Sequence, residues 1–377
     1  MFSSNSDTQL IIELDLSLRE VLQNPNQENL RQTFHLIRQC EERRQNKENS
    51  TNDDQLYVPA LLILRNFSRF QHATVFDELL QQFRLTFPII SISSKKILDD
   101  FLCTISVILT KRIVPSNDEV QQHLFIKFVQ EFFDNVKKRP TLFYEEFLGD
   151  FNNNLPMIGH FLSCFLQFFQ QVNSLDYRLD VLKTFWSLFY VENTSKRVDY
   201  QQIVGQILSC FLPGLLKTLV ENLGSSHQRL IQMDFLLLSY IFRLTIRRSN
   251  IFYDQPIKEE LKDLIVERND QWLTIVDAHL YPLFQRLTND YVQHENISVR
   301  RSLAILMLNI LCFSSSSVKN STKIAMKTIL LVLSKNDDPM LRAAVDKLFQ
   351  RESNFFFFQS NEQTRCIRHE VFFFRKK

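Results

Sequence analysis

Ile297-Ser298-Val299-Arg300-Arg301-Ser302-Leu303-Ala304-Ile305-Leu306-Met307-Leu308-Asn309-Ile310 is the stretch that decides the fold. Val299, Leu303, Leu306 and Ile310 step by four, three and four residues, the period of one buried helix face. Leu341, Val345 and Leu348 repeat that spacing, and Arg342 follows Leu341 as Arg300 follows Val299. From Arg300 to Arg342 is 42 residues, inside the ~40–47-residue period of arrays built from stacked helices. A loop rich in Asn, Asp or Glu precedes each passage. Leu175, Leu179, Leu182, Trp186 and Phe189 step in the same way, and period-two alternation never runs long enough to claim a strand.

Composition agrees. The 377 residues include 35 Phe but only 5 Gly, all between Gly149 and Gly224. Sheet-rich enzymes use Gly for tight turns and for close approach to phosphates; a chain this poor in Gly predicts helices joined by short polar loops. Hydrophobic residues make up 45% and charged residues 23%, the balance of a folded chain. With 44 basic against 42 acidic side chains, no whole-protein field draws in nucleic acid or an anionic membrane. The basic runs Lys137-Lys138-Arg139 and Arg247-Arg248 read as solvated helix ends. Cys40, Cys103, Cys164, Cys210, Cys312 and Cys366 are scattered, with no C-x-x-C pair, and read as buried thiols of a reducing compartment. No signal peptide is expected from Met1-Phe2-Ser3-Ser4, and the longest apolar runs fall far short of a membrane span.

The breaks between apolar stretches are helical in character too. Pro115-Ser116-Asn117-Asp118-Glu119 reads as a loop and N-cap before Leu124, Phe125 and Phe128, and Asn152-Asn153-Asn154-Leu155-Pro156 places Pro near a first helical turn. About fifteen helices are expected. The predicted fold is an all-α, HEAT/armadillo-like helical-repeat solenoid over residues 1–350. Its repeats are weaker over 1–170 and clearer over 171–350, with a flexible loop near 43–54. Residues 351–377, with aromatic runs at Phe355–Phe358 and Phe372–Phe374, are expected to be a divergent, disordered tail.

A search for chemistry returns no catalytic, metal or cofactor constellation. No phosphate-binding loop, H-E-x-x-H or G-x-S-x-G occurs, and no two of the 8 His sit three or four residues apart. Adjacent acids such as Glu145-Glu146 and Asp337-Asp338 diverge by about 100° on a helix and cannot converge on one substrate. Phe125, Phe128, Phe132 and Phe133 fall on a core face, not on a basic stripe for nucleic acid. The expectation is a protein-binding scaffold with no enzyme activity, no cofactor, and no membrane, nucleic-acid or small-molecule partner.

Four ordered passages carry a family resemblance between about Leu175 and Phe349. They are Cys210-Phe211-Leu212-Pro213-Gly214-Leu215; Leu264 to Leu273, containing Arg268 and Trp272; Val299-Arg300-Arg301-Ser302-Leu303; and Asn336-Asp337-Asp338-Pro339-Met340-Leu341-Arg342. Their order and spacing resemble the amino-terminal HEAT region of the Tel-two-interacting protein one family, the long scaffold of the triple-T (TTT) cochaperone complex. Read without the resemblance, Trp272 is simply core. The resemblance implies scaffolding beside a Tel-two-like protein and a second Tel-two-interacting protein. It also implies support of maturation, stability and assembly of phosphatidylinositol-3-kinase-related kinases, including the target-of-rapamycin and DNA-damage kinases, in the cytoplasm and also the nucleus. Arg300 and Arg342 would then bond loop acids or carbonyls of a neighbouring unit. Family members are much longer, so this chain is expected to represent the front of the scaffold. The competing reading is a karyopherin-like transport adaptor or another HEAT-repeat interaction protein; a pI near 8.1 weighs against the usually acidic karyopherins.

Overall fold

The computed structural model describes residues 5–45, 57–89, 92, 94–191, 198–224, 227–247 and 257–335, together with 339, 342 and 343. Among these residues the fold is all-α, with fourteen α-helices and no strand. In order they are α1 (Asn5–Gln23), α2 (Gln27–Gln45), α3 (Tyr57–Arg65), α4 (Ala73–Thr86), α5 (Lys95–Ile108), α6 (Glu119–Val136) and α7 (Phe151–Gln171). There follow α8 (Leu175–Phe189), α9 (Val198–Cys210), α10 (Leu212–Leu223), α11 (Gln228–Thr245), α12 (Asp270–Tyr291), α13 (Ile297–Phe313) and α14 (Lys319–Lys335). The chain divides into two compact units, Met1–Leu273 and Thr274–Lys377. The expected loop near 43–54 lies outside the described residues from 46 onward, as does the whole expected tail 351–377.

The first unit is a two-layer stack. In one layer α2, α4, α6, α8 and α11 each pack on the next; in the other, α1, α3, α5, α7 and α10 do the same. A helix that meets the element two places on, rather than a distant strand or domain, is the mark of a helical-repeat solenoid. Hydrogen bonds measure the repeat directly. Gln27 to the Thr74 carbonyl, Arg31 to Glu78 and Arg84 to Glu131 each span 47 residues. Further along the spans widen, to 53 for Ser187–Asp134 and 57 for His123–Asp180.

Phenylalanine fills the space between the layers. Phe34 of α2 meets Phe83 of α4 at 4.9 Å, Phe83 meets Phe128 of α6 at 5.6 Å, and Phe101 of α5 meets Phe132 of α6 at 5.6 Å. Phe133 of α6 carries the contact to Phe161 of α7 at 5.7 Å. All of these rings are buried. Each such pair adds about 0.5–1.5 kcal/mol beyond the area it buries. Phe125, Phe128, Phe132 and Phe133 are core, as their spacing predicts.

Two expectations need correction. On α8 the buried stripe is Val181, Leu182, Phe185, Leu188 and Phe189, so Leu175, Leu179 and Trp186 sit at its edge. Val181, Phe185 and Leu188 form a second buried apolar row one position off the expected one. In α7 the helix begins at Phe151, which puts Pro156 in the second turn, not near the first.

The second unit holds α13 against α14 and ties α14 to α12. Val299, Leu303, Leu306 and Ile310 are fully buried, as the period requires. Asp277 of α12, itself buried, accepts from the backbone N–H groups of Asn320 at 2.9 Å and Ser321 at 2.8 Å. It thereby caps the first turn of α14 from another helix, where unpaired N–H groups and the positive end of the helix dipole both favour a carboxylate. Thr288 and Thr328 exchange a 2.6 Å bond further along the same contact. Asp277→Ala is expected to cost about 1–3 kcal/mol, read as a lower thermal midpoint and faster hydrogen exchange at Asn320 and Ser321.

Asp234 of α11 is fully buried and bonded to the Asn222 amide of α10. Burial pushes its carboxyl well above the usual range, against the Asn222 bond and the Arg178 charge. The native state therefore binds a proton that the unfolded chain releases near pH 4. The stability that Asp234 contributes is complete below that pH and is lost as pH rises through the native value. Asp234→Asn keeps the shape without the titration. Urea unfolding of this variant is expected to vary less between pH 5 and pH 8 than that of wild type, with no loss of stability at the upper end.

Candidate functional site

Two of the four family-like segments meet at the end of α9. Arg268, in the loop before α12, is buried. Its guanidinium donates to the Leu244 carbonyl at 2.5 Å, to the Gln206 side chain at 3.2 Å and to the Gln202 carbonyl at 3.3 Å. Gln206 in turn donates to the Val266 carbonyl. A cation that satisfies the last carbonyls of α11 is favoured by the dipole of that helix. Gly205 makes the approach possible: a Cβ there would stand 2.6 Å from the Leu244 carbonyl oxygen and 2.7 Å from Arg268 Nη1. The Cys210 thiol lies against the Val266 backbone and Arg268, and burial raises its pKa.

Phe211 breaks the chain between α9 and α10, which meet at a 77° bend. Its ring lies over Gly159 of α7, where a Cβ would come within 2.7 Å. Leu212 is buried and Pro213 is exposed in the first turn of α10. Gly214 is exposed with nothing near its Cβ direction. Taken together across the bend, α9 and α10 are long and apolar enough to match a membrane span, but no single described helix is.

Trp272 is only half-buried, and so is not core. The buried stripe of α12 is Leu273, Val276, Leu280, Phe284 and Leu287, and Trp272 stands about 100° off it. Its N–H is held by Asn269 at 2.9 Å. Arg300 donates to the carbonyls of His294 and Glu295, the latter at 3.0 Å. These belong to the loop that leads into its own helix, not to another unit. Arg342 is exposed; Leu341 and Val345 lie outside the described residues.

What remains for binding is surface, and charged pairs mark the seams of the α2–α4–α6–α8 layer. Arg31 meets Glu78 at 2.6 Å, Arg38 meets Gln82 and Thr86, and Arg84 meets Glu131 at 2.8 Å. At the last seam Asp180 gathers Lys183 at 2.9 Å and Lys127 and His123 at 3.1 Å. Hydrogen bonds from Lys183 and Lys127 outweigh burial and hold the Asp180 carboxyl below its ordinary value. The sequence reading missed these pairs. Their signal was an Arg and a Glu at one shared offset of 47 residues.

The groups available for chemistry are poorly placed. His160 and Cys164 approach to 3.7 Å on α7, but burial raises the thiol pKa, the reverse of an activated nucleophile. Among the described residues no group of three or more His, Cys, Asp or Glu could hold a metal ion.

The two glycines make opposite predictions. Gly205→Ala is expected to destabilise by more than about 2 kcal/mol, because backbone and a buried guanidinium must both shift. Gly214→Ala fills open space inside a helix and is expected to stabilise by up to about 1 kcal/mol. Thermal melts of the two variants check both signs.

Comparison with known families gives one match. The family described as the TTI1 N-terminal TPR domain covers residues 13–337. No curated protein sequence matches the chain. The TPR period is ~34 residues, whereas the cross-repeat bonds here span 44 to 48 residues in the first unit's α2–α4 and α4–α6 seams. The repeat geometry is thus nearer the HEAT class than the family description suggests. Members of the matched family are helical-repeat interaction scaffolds and not a known enzyme type. With most of its length matched, the chain belongs to the TTI1 N-terminal TPR domain family.

Proposed function

We propose that the chain serves as the non-catalytic scaffold of a TTT-type cochaperone assembly. In this reading it holds a Tel-two-like protein and a second Tel-two-interacting protein. Through them it supports the maturation, stability and assembly of phosphatidylinositol-3-kinase-related kinases, in the cytoplasm and also the nucleus. The observation that carries the reading is the family match over residues 13–337. The placement of the motif residues supports it: Arg268 and Leu212 are buried and Phe211 packs on α7, so they maintain the stack and leave partner contact to its surfaces.

Affinity purification of the tagged chain from its own cells, followed by mass spectrometry, is expected to recover a Tel-two homologue or one of the large kinases. Recovery of neither would overturn the reading. Recovery instead of a small GTPase, released when its nucleotide is exchanged, would favour a transport adaptor.

A further inference from the structure

Three buried polar atoms without a hydrogen-bond partner belong to residues that act on one another: Asp234 Oδ1 of α11, Asn222 Oδ1 of α10 and Arg178 Nε of α8. Helix α11 packs on both α10 and α8. Asp234 is fully buried and Asn222 nearly so. One bond joins them, from Asn222 Nδ2 to Asp234 Oδ2. The Arg178 guanidinium lies over the Phe169 ring of α7, 5.6 Å from its centre.

An ionised carboxylate offers only acceptors, and so does an amide oxygen. With Asp234 ionised, its Oδ1 and Asn222 Oδ1 are both stranded in the core, where unpaired polar atoms are rare. One proton on Asp234 Oδ1 satisfies both. The acid then donates to the amide oxygen, while the amide N–H donates to the other acid oxygen, and the two side chains close a ring of two bonds. Burial favours the same protonated form. Arg178 pulls the other way, because its charge favours the carboxylate. Among the described residues no other charged group acts on Asp234: α10 brings the neutral Asn222, and α9, which also packs on α11, brings no charge that reaches it.

We propose that Asp234, Asn222 and Arg178 form a proton-operated joint between α11, α10 and α8. With the proton bound, Asp234 Oδ1–H donates to Asn222 Oδ1 and the ring fastens α11 to α10. When the proton leaves to solvent, the carboxylate accepts from Arg178 Nε–H, and α11 gains a tie to α8 in place of one tie to α10. Only the O–H bond breaks, and the negative charge that remains is met by the guanidinium. The Asn222 N–H bond to Oδ2 is kept in both states. The joint belongs to the stack itself, so it stands whichever partner the stack holds.

Nuclear magnetic resonance of the full chain, with carbon-13 at the aspartate carboxyls and nitrogen-15 at the arginine Nε atoms, reads both ends of the joint. Asp234→Asn identifies the Asp234 signal by its loss, and Arg178→Gln identifies that of Arg178. The Asp234 carboxyl is expected to stay protonated where ordinary aspartates have ionised, at about pH 5, and to titrate above that. The Arg178 Nε–H signal is expected to shift with the same midpoint in wild type and to stay still in Asp234→Asn. Arg178→Gln is expected to raise the Asp234 midpoint by about one pH unit or more. Arg178→Lys, which keeps the charge, is expected to raise it less, and it identifies the same signal if the Gln variant does not fold.

A reciprocal exchange tests the ring. Asn222→Asp alone sets two carboxyls against each other, so the native state must take up a second proton or bury a charge. Its thermal midpoint at pH 7 is expected to fall below that of wild type. Asn222→Asp with Asp234→Asn puts the acid on α10 and the amide on α11, and is expected to recover most of that loss. An Asp234 carboxyl that ionises in the ordinary range, an Arg178 Nε–H signal blind to its titration, or an exchanged pair no more stable than Asn222→Asp alone would overturn the proposal.

Discussion

Every α-helix leaves its last carbonyls without a partner inside the helix, and at the ends of α1, α4, α8 and α11 this chain meets that constraint with donors from elsewhere in the sequence. Among the described residues no backbone takes a positive φ, at glycine or elsewhere, so the common left-handed cap is not used. Arg69 reaches the Leu22 carbonyl at the end of α1, and Asn135 reaches Phe87 at the end of α4. Lys137 and Tyr144 share Tyr190, Tyr240 takes Phe189, and Arg268 takes Leu244. Asp277 applies the complementary device to the N-terminus of α14. Packing and capping are therefore one network at these ends, and Gly159 and Gly205 serve close approach between segments.

The fold class was readable because local signals carried it. Val299, Leu303, Leu306 and Ile310 are buried because a helix face is a local property of sequence. Asp118, taken from the sequence as a cap, accepts from the N–H groups of Val120 and Gln121 at the start of α6. The misreadings occur where tertiary contact chooses between two plausible faces. Trp186 and Trp272 each sit one position from the stripe that neighbouring helices bury. A bulky apolar residue at the margin of a stripe gives no local sign of which way it turns.

The candidate site was legible to a smaller degree. Arg268 stood out in the sequence, but its partners lie 24 to 66 residues away and are mostly backbone carbonyls. Carbonyls carry no residue-type signal, so no pattern could point to them. The ring cluster of Trp186, Tyr190 and Tyr240 is similar, because only the packing of α8 against α11 brings it together.

Capping across helices also limits how such an array can change in evolution. In a tandem array whose units close their own ends, one unit can be copied or lost and the joint still fits. Here the donor for one helix end sits in another helix, as Asn135 does for α4 and Tyr240 for α8. A duplicated or excised unit would leave a donor without its carbonyl at one junction and a carbonyl without its donor at the other. Growth by unit duplication is thus hindered at these joints, while drift of side chains within a fixed number of units remains open.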